Sequence, residues 1–318
     1  MISKESISKS TSKISFLGYI KNYLVIQEIG SLKEHMHHVF LASILDSLEN
    51  ESDWVVIKAI SVKDKLNSFK NESAIGELED HPRILKYSSK ILDCELNVGK
   101  FNGKKHNLLV FPFIPNGDLI KIISKGPLDE PIARFCAEQL LEALEFLHSN
   151  GYTHRDVKLD NVLVDKDFNL VLTDFGHAEE HSTTSGPKKF TTQTTPSYLI
   201  PPECYQGKKE YEGVKMDMFA FGRLLFQLVT GINPFSSANK IDSQFRYIVN
   251  GDLESYWKVI DALLQREERK CLSDELKTLI EGLFNPDPAL RLSINQVRES
   301  GWFVNTKPGT LQEFLRIR

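Results

Sequence analysis

The stretch YTHRDVKLDNVLVDKDFNLVLTDFG, residues 152–176, decides how the rest of the chain is read. Asp156 and Asn161 stand in one polar loop with Lys158 between them. Asp174 follows Asn161 by thirteen residues, directly before Phe175 and Gly176. Two apolar runs, 162–164 and 170–172, bracket the polar turn 165–169, a pattern that predicts a hairpin of short strands. Such a hairpin brings the end of the Asp156 loop back to Asp174. One carboxylate and one amide oxygen then share a neighbourhood, the donor set of a hard cation. Asp156 is left to orient a hydroxyl and accept its proton.

The same residues carry a resemblance. The run His154, Arg155, Asp156, Lys158, Asn161, followed by Asp174, Phe175 and Gly176, resembles the catalytic loop and metal-binding motif of the eukaryotic protein kinases, serine/threonine branch. A lone Asp-Phe-Gly is a weak signal; both motifs in order at this spacing make a strong one. The resemblance covers about residues 19–304 and implies an α+β, bilobal fold: a small β-rich lobe, 19–113, with one main helix, and a larger α-rich lobe, 117–304. Residues 1–18, rich in Ser and Lys, are expected to be a flexible tail, and 305–318 a C-terminal tail.

Bulk properties agree with a globular domain. The 318 residues suffice for a large core, and 41% hydrophobic with 26% charged residues is ordinary. A formal charge of −4 argues against a general nucleic-acid binder. Cys94, Cys136, Cys204 and Cys271 show neither metal-ligand spacing nor a disulfide framework, which points to reduced thiols in the cytoplasm or nucleus. No membrane span is expected, because no run of 18 apolar residues occurs.

Upstream, short apolar runs at 23–29, 39–45 and 54–60 predict an antiparallel meander, and 90–97 and 106–114 two more strands. The turn between the first two is glycine-rich in the family; here, from Gly30 to Val39, it holds one glycine and is about two residues longer. Val55-Val56-Ile57-Lys58 resembles the strand whose lysine holds the α- and β-phosphates of ATP, with Val56 narrowing the adenine slot. The stretch 63–79 reads as a helix. Glu72, nine residues before His81-Pro82, stands at the family's interval for the carboxylate that pairs with Lys58, with Glu77 and Glu79 as competitors. Gly76, one turn on, leaves a gap where kinases place a large apolar residue, which implies a mobile helix under a partner's control. Phe111 is the expected gatekeeper, adenine meeting the backbone near Pro112 and Ile114 between Val56 and Leu163. Asp118 either contacts the ribose or a basic substrate residue, or caps the following helix.

Downstream, Pro131 opens a helix with apolar residues at 132, 135, 136, 140, 144 and 147, ended by Gly151. The irregular, threonine-rich stretch from Asp174 to Glu203 resembles an activation segment, with Thr195 in the substrate-positioning loop and Thr191 and Thr192 as phosphorylation candidates for an upstream kinase or activating partner. Arg155 is expected to clamp such a phosphate. Asp217 is expected to accept hydrogen bonds from the catalytic-loop backbone, and Arg291 to pair with Glu203. The resemblance thus implies transfer of the ATP γ-phosphoryl group to protein hydroxyls. Asn161 and Asp174 take Mg2+, Asp156 is the base, and Lys158 neutralises charge near the γ-phosphate. A nucleotide-binding scaffold without catalysis is the second reading, carried by the glycine-poor turn; a small-molecule kinase is a third.

Overall fold

The computed structural model describes residues 16–32, 37–44, 53–63, 67–101, 103–183, 186–191, 200–205 and 210–304. Both expected tails, apart from residues 16–18, lie outside the described residues, as do positions 33–36 of the turn after Gly30.

Six strands form the first half: β1 (Gly18–Ile20), β2 (Tyr23–Leu32), β3 (His37–Ile44), β4 (Trp54–Ser61), β5 (Ser89–Val98) and β6 (Lys104–Pro112). They run in the order β1-β2-β3-β4-β6-β5, and β1 pairs with β5 to close the ring. The expected meander is β2-β3-β4. The three-residue β1, too short to show an alternating pattern, is the strand that closes it.

The two-residue period of β4 sorts its side chains. Val55, Ile57 and Ala59 pack inside the ring with Phe40, Leu96 and Leu108. Val56, Lys58 and Ile60 therefore take the other face, where Ile60 joins Leu85, Leu109, Phe111 and Val171. Helix α1 (Ser68–Gly76) packs on that side. It is shorter than the helical stretch 63–79 read from sequence: Glu77 caps it and residues 64–66 are not described.

The second half is largely helical: α2 (Leu119–Ile123), α3 (Glu130–Ser149), α4 (Pro202–Tyr205), α5 (Gly213–Thr230), α6 (Phe245–Val249), α7 (Leu253–Arg266), α8 (Asp274–Leu283), α9 (Ile294–Arg298) and α10 (Gly301–Val304). Its core runs through α3, α5, α7 and α8, with Leu140, Leu144, Phe219, Phe226, Ile260 and Leu283 among its buried side chains. Pro131 lies in the first turn of α3, and the left-handed Gly151 (φ 83°) follows its cap. Ser293 caps α9 in a reciprocal box with Gln296. From α3 the chain passes β7 (Tyr152–Thr153) into the Asp156 loop and then the hairpin β8 (Val162–Val164) and β9 (Leu170–Leu172), paired Val162↔Leu172.

The segment after Asp174 is more regular than its polar composition suggested. β10 (Glu179–Glu180) pairs with β7, β11 (Ser182–Thr183) with β12 (Gly186–Pro187), and β13 (Lys189–Thr191) with β14 (Glu210–Glu212). Burial drives the last pairing: Phe190 and Tyr211 sit opposite each other and are packed with Met216.

Candidate active site

Lys58 leaves β4 on the face turned away from the ring interior. Its Nζ lies 2.5 Å from Glu72 Oε2 and 2.7 Å from Asp174 Oδ1. Glu72 on α1 is almost fully buried, so the lysine is its compensation. Burial alone would lower the Lys58 ammonium; Asp174 and Glu72 together outweigh it and hold it above its ordinary value. Burial pushes the Glu72 carboxyl up against the pull of Lys58. Burial acts the same way on Asp174, but there Lys58 prevails and holds the carboxyl below the usual carboxylate range. The competitor Glu77 points outward to Lys90, 2.6 Å away at the surface.

Asp174 has a left-handed backbone (φ 62°, ψ 70°). That turn buries Phe175 in the core beside Ile75, its ring edge-on to His154 at 5.2 Å. Asn71 donates from Nδ2 to the Gly176 carbonyl at 3.0 Å, so α1 is tied to the segment following Asp174.

Gly76 does not leave a gap. A Cβ placed there would lie 2.0 Å from Cε1 of Tyr87, because the Tyr87 ring fills the notch. Tyr87 is also set edge-on to Phe111. The inference of a loose helix from Gly76 is therefore corrected: the missing side chain is replaced by a ring from elsewhere in the chain.

Asp217 on α5, fully buried, organises the Asp156 loop. It accepts from the backbone N–H of His154 at 2.9 Å, from that of Arg155 at 2.8 Å, and from His148 Nε2 at 2.9 Å. These bonds hold Arg155 at φ 60°, a conformation a side chain of its size rarely adopts. His154 accepts the Asp156 N–H on Nδ1, which leaves Nε2 to donate to the Thr173 carbonyl at 3.0 Å. Asp156 Oδ2 accepts from Lys158 Nζ at 2.8 Å and from Asn161 Nδ2 at 2.9 Å. Thr173 N donates to Asn161 O at 2.9 Å, so the hairpin does bring the loop to Asp174. With its amide nitrogen committed to Asp156, Asn161 has its oxygen as the atom left for a cation. Asn161 and Asp174 suit a magnesium ion, which takes few protein oxygens and completes its shell with phosphate and water. Among the described residues no cluster of three or more His, Cys, Asp or Glu forms a self-sufficient metal site.

A cavity of about 200 Å3 opens beside these groups. Gly30, Val39, Val56, Phe111, Pro112, Ile114 and Leu163 line it, with Lys58, Glu72 and Asp174 at one end. An apolar slot that ends in one ammonium and two carboxylates suits a flat ring with a polar tail reaching Lys58. Sequence reasoning missed Ile29, Leu41, Leu85, Phe113, Gly117 and Thr173 in its walls. Only Leu41 had a signal, the strand alternation from Val39. Asp118 is outside the lining; it caps α2, its Oδ1 accepting from Lys121 N at 2.9 Å. Of its two open readings, the cap is the one the structure shows.

A family model described as the protein kinase domain matches residues 21–303. The chain belongs to this family. It is similar to CBL-interacting protein kinase 26 of Oryza sativa subsp. japonica, 33% identical over 74% of this chain and 42% of the relative. It is also similar to CBL-interacting serine/threonine-protein kinase 20 of Arabidopsis thaliana, 29% identical over 75% and 48%. A third relative is the cell cycle serine/threonine-protein kinase CDC5/MSD2 of Saccharomyces cerevisiae, 30% identical over 80% and 32%. The chain spans less than half the length of each of these curated relatives.

Within the kinase domain, Glu203 and Arg291 meet as expected, NH2 to Oε2 at 2.7 Å, both fully buried. Thr192 and Thr195 lie outside the described residues. Thr191 is an exposed residue of β13 with Glu210 as its cross-strand neighbour. Arg155, the expected phosphate clamp, is engaged by groups of the chain itself. Its NH2 meets Glu179 Oε1 at 2.5 Å, its Nε donates to the His177 carbonyl at 2.8 Å, and its guanidinium covers the Phe190 ring at 4.5 Å. Neither Glu179 nor Phe190 was singled out by the motif, which ends at Gly176.

Proposed function

We propose that this kinase domain is catalytically active and transfers the γ-phosphoryl group of ATP to serine or threonine hydroxyls of a protein. The observation that carries the reading is the Lys58–Glu72–Asp174 cluster at the charged end of an apolar cavity, with Asp156 and Asn161 bonded to each other alongside. The sheet half and the helical half act as two lobes around that cavity. Adenine occupies the apolar slot under Phe111, and Lys58, held by Glu72, takes the α- and β-phosphates. Asn161 and Asp174 are the residues that would hold Mg2+, which would supply neutralisation of phosphate charge. Asp156 orients the acceptor hydroxyl. As that oxygen bonds to the γ-phosphorus and the bond to ADP breaks, Asp156 takes the proton, and Lys158 balances the charge beside it. Catalysis of this kind rests on positioning and charge, and every group named is held by at least one neighbour.

The serine/threonine preference is supported by the names of two relatives, and by Lys158 and Thr195 at positions resembling that branch. The alternative, a scaffold without transfer, finds no support among relatives that are all described as kinases. Protein acceptors, an activating partner and a reducing intracellular compartment belong to the same proposal; no helix among the described residues is long and apolar enough to cross a membrane.

The test is label transfer from γ-labelled ATP with Mg2+ to a basic acceptor protein, beside Asp156→Asn. Loss of a general base is expected to lower turnover by about 10²–10⁴-fold. Equal rates in the two proteins would remove Asp156 from the mechanism, and label on free amino alcohols or sugars in preference to protein would move the acceptor class.

A further inference from the structure

Arg155 is a buried cation one residue before the proposed base, and the chain surrounds it with groups of its own. Glu179, on β10, accepts from Arg155 NH2 and, through its other oxygen, from Lys188 Nζ, both at 2.5 Å. The ring of Phe190, nearly fully buried, lies under both cations, 4.5 Å from the Arg155 guanidinium carbon and 5.3 Å from Lys188 Nζ. One carboxylate and one ring thus fasten residues 179, 188 and 190 of the segment to the catalytic loop. Carboxylate–guanidinium bonds of this length are the strong kind, and a cation over an aromatic face adds to them.

A second observation comes from β13. Thr191 stands opposite Glu210 and Lys189 opposite Glu212. A phosphate on Thr191 would enter a strand pair beside a carboxylate, where like charges destabilise. Arg155 and Lys188 already share the Glu179 carboxylate, so the clamp is closed before a phosphate arrives.

We propose that Glu179 is a positioning residue for the transfer reaction: by holding Arg155 it fixes the adjoining Asp156, so that turnover does not require a phosphate on residue 191, 192 or 195. The inference rests on the kinase reading above. Glu179 touches no reacting atom; it acts through Arg155, whose backbone is already constrained by Asp217.

The experiment uses the full chain, treated with a broad phosphatase and checked by mass, in the same label-transfer assay. The dephosphorylated wild type is expected to keep its rate. Glu179→Gln is expected to lower kcat by about 10–100-fold, the range of one charged hydrogen bond, while KM for ATP stays in place. Glu179→Asp, which keeps the charge on a shorter stem, is expected to recover part of that loss. Trypsin gives a readout independent of turnover: in Glu179→Gln, cleavage after Lys188 and Lys189 is expected to accelerate while the melting temperature of the domain holds. A wild type that is active only once phosphorylated, or a Glu179→Gln protein with unchanged kcat and unchanged cleavage, overturns the inference and leaves the kinase reading intact. A wild type that transfers no label in any phosphorylation state overturns the kinase reading and the inference with it.

Discussion

The Glu203–Arg291 pair and the Lys58–Glu72 pair are both buried and both short, at 2.7 and 2.5 Å, yet they are finished differently. Arg291 spends its guanidinium on both oxygens of Glu203 and on the carbonyls of Lys215 and Asn285. Its plane also covers Phe219. Lys58 is a point charge divided between two carboxylates, and Asp174, the second of them, is 31% exposed. A saturated pair locks two pieces of chain together. A shared cation with one open partner is able to exchange that partner for another anion. Burial and distance alone do not separate the two uses; the remaining hydrogen bonds do.

Breaking each pair sharpens the contrast. Arg291→Leu strands a buried carboxylate and is expected to cost about 3–5 kcal/mol of stability, read from the urea midpoint. A shift within experimental scatter would mean that the pair is not structural. Lys58→Met is expected to act mainly on the reaction, lowering kcat by about 10²–10³-fold, the range for removing one electrostatic donor. Its stability cost is softened because Glu72, already pushed up by burial, takes on a proton. A Lys58→Met protein that unfolds as readily as Arg291→Leu and yet turns over normally would invert the comparison. The smallest effect belongs to the notch between α1 and Tyr87. Gly76→Ala drives a methyl group into the Tyr87 ring, with an expected cost of about 1–3 kcal/mol and a raised KM for ATP. Adding Tyr87→Leu is expected to return part of both; strict additivity of the two changes would show that the residues do not share the notch.

What the sequence disclosed follows the same division. The Asp156 loop and its hairpin were legible because their chemistry needs particular residue types at near-fixed spacing; the Asp217 and Arg291 anchors came with the kinase resemblance. Lys58 was legible because a lysine in an apolar strand demands a partner. Tyr87 was not, since nothing in a one-dimensional pattern says which ring will occupy the volume beside a helical glycine. The β13–β14 pairing was hidden for a related reason: three residues rich in polar side chains carry no periodicity, and only the buried Phe190–Tyr211 contact explains them. β1 closes the ring with three residues, too short a run to show a strand period. Glu179 lay in view, but a glutamate on a polar segment reads as solvated until an arginine is found beside it.

Asp217 also settles the order in which the molecule comes apart. The amides of His154 and Arg155 end on a carboxylate in the middle of the helical core, so they part from it only when that core itself opens. Surface pairs such as Lys90–Glu77 and Lys105–Asp93 have no such anchor and belong to the cheaper fluctuations. As the protein warms, contacts of that surface kind slacken first. The geometry of the Asp156 loop is the last thing it forgets.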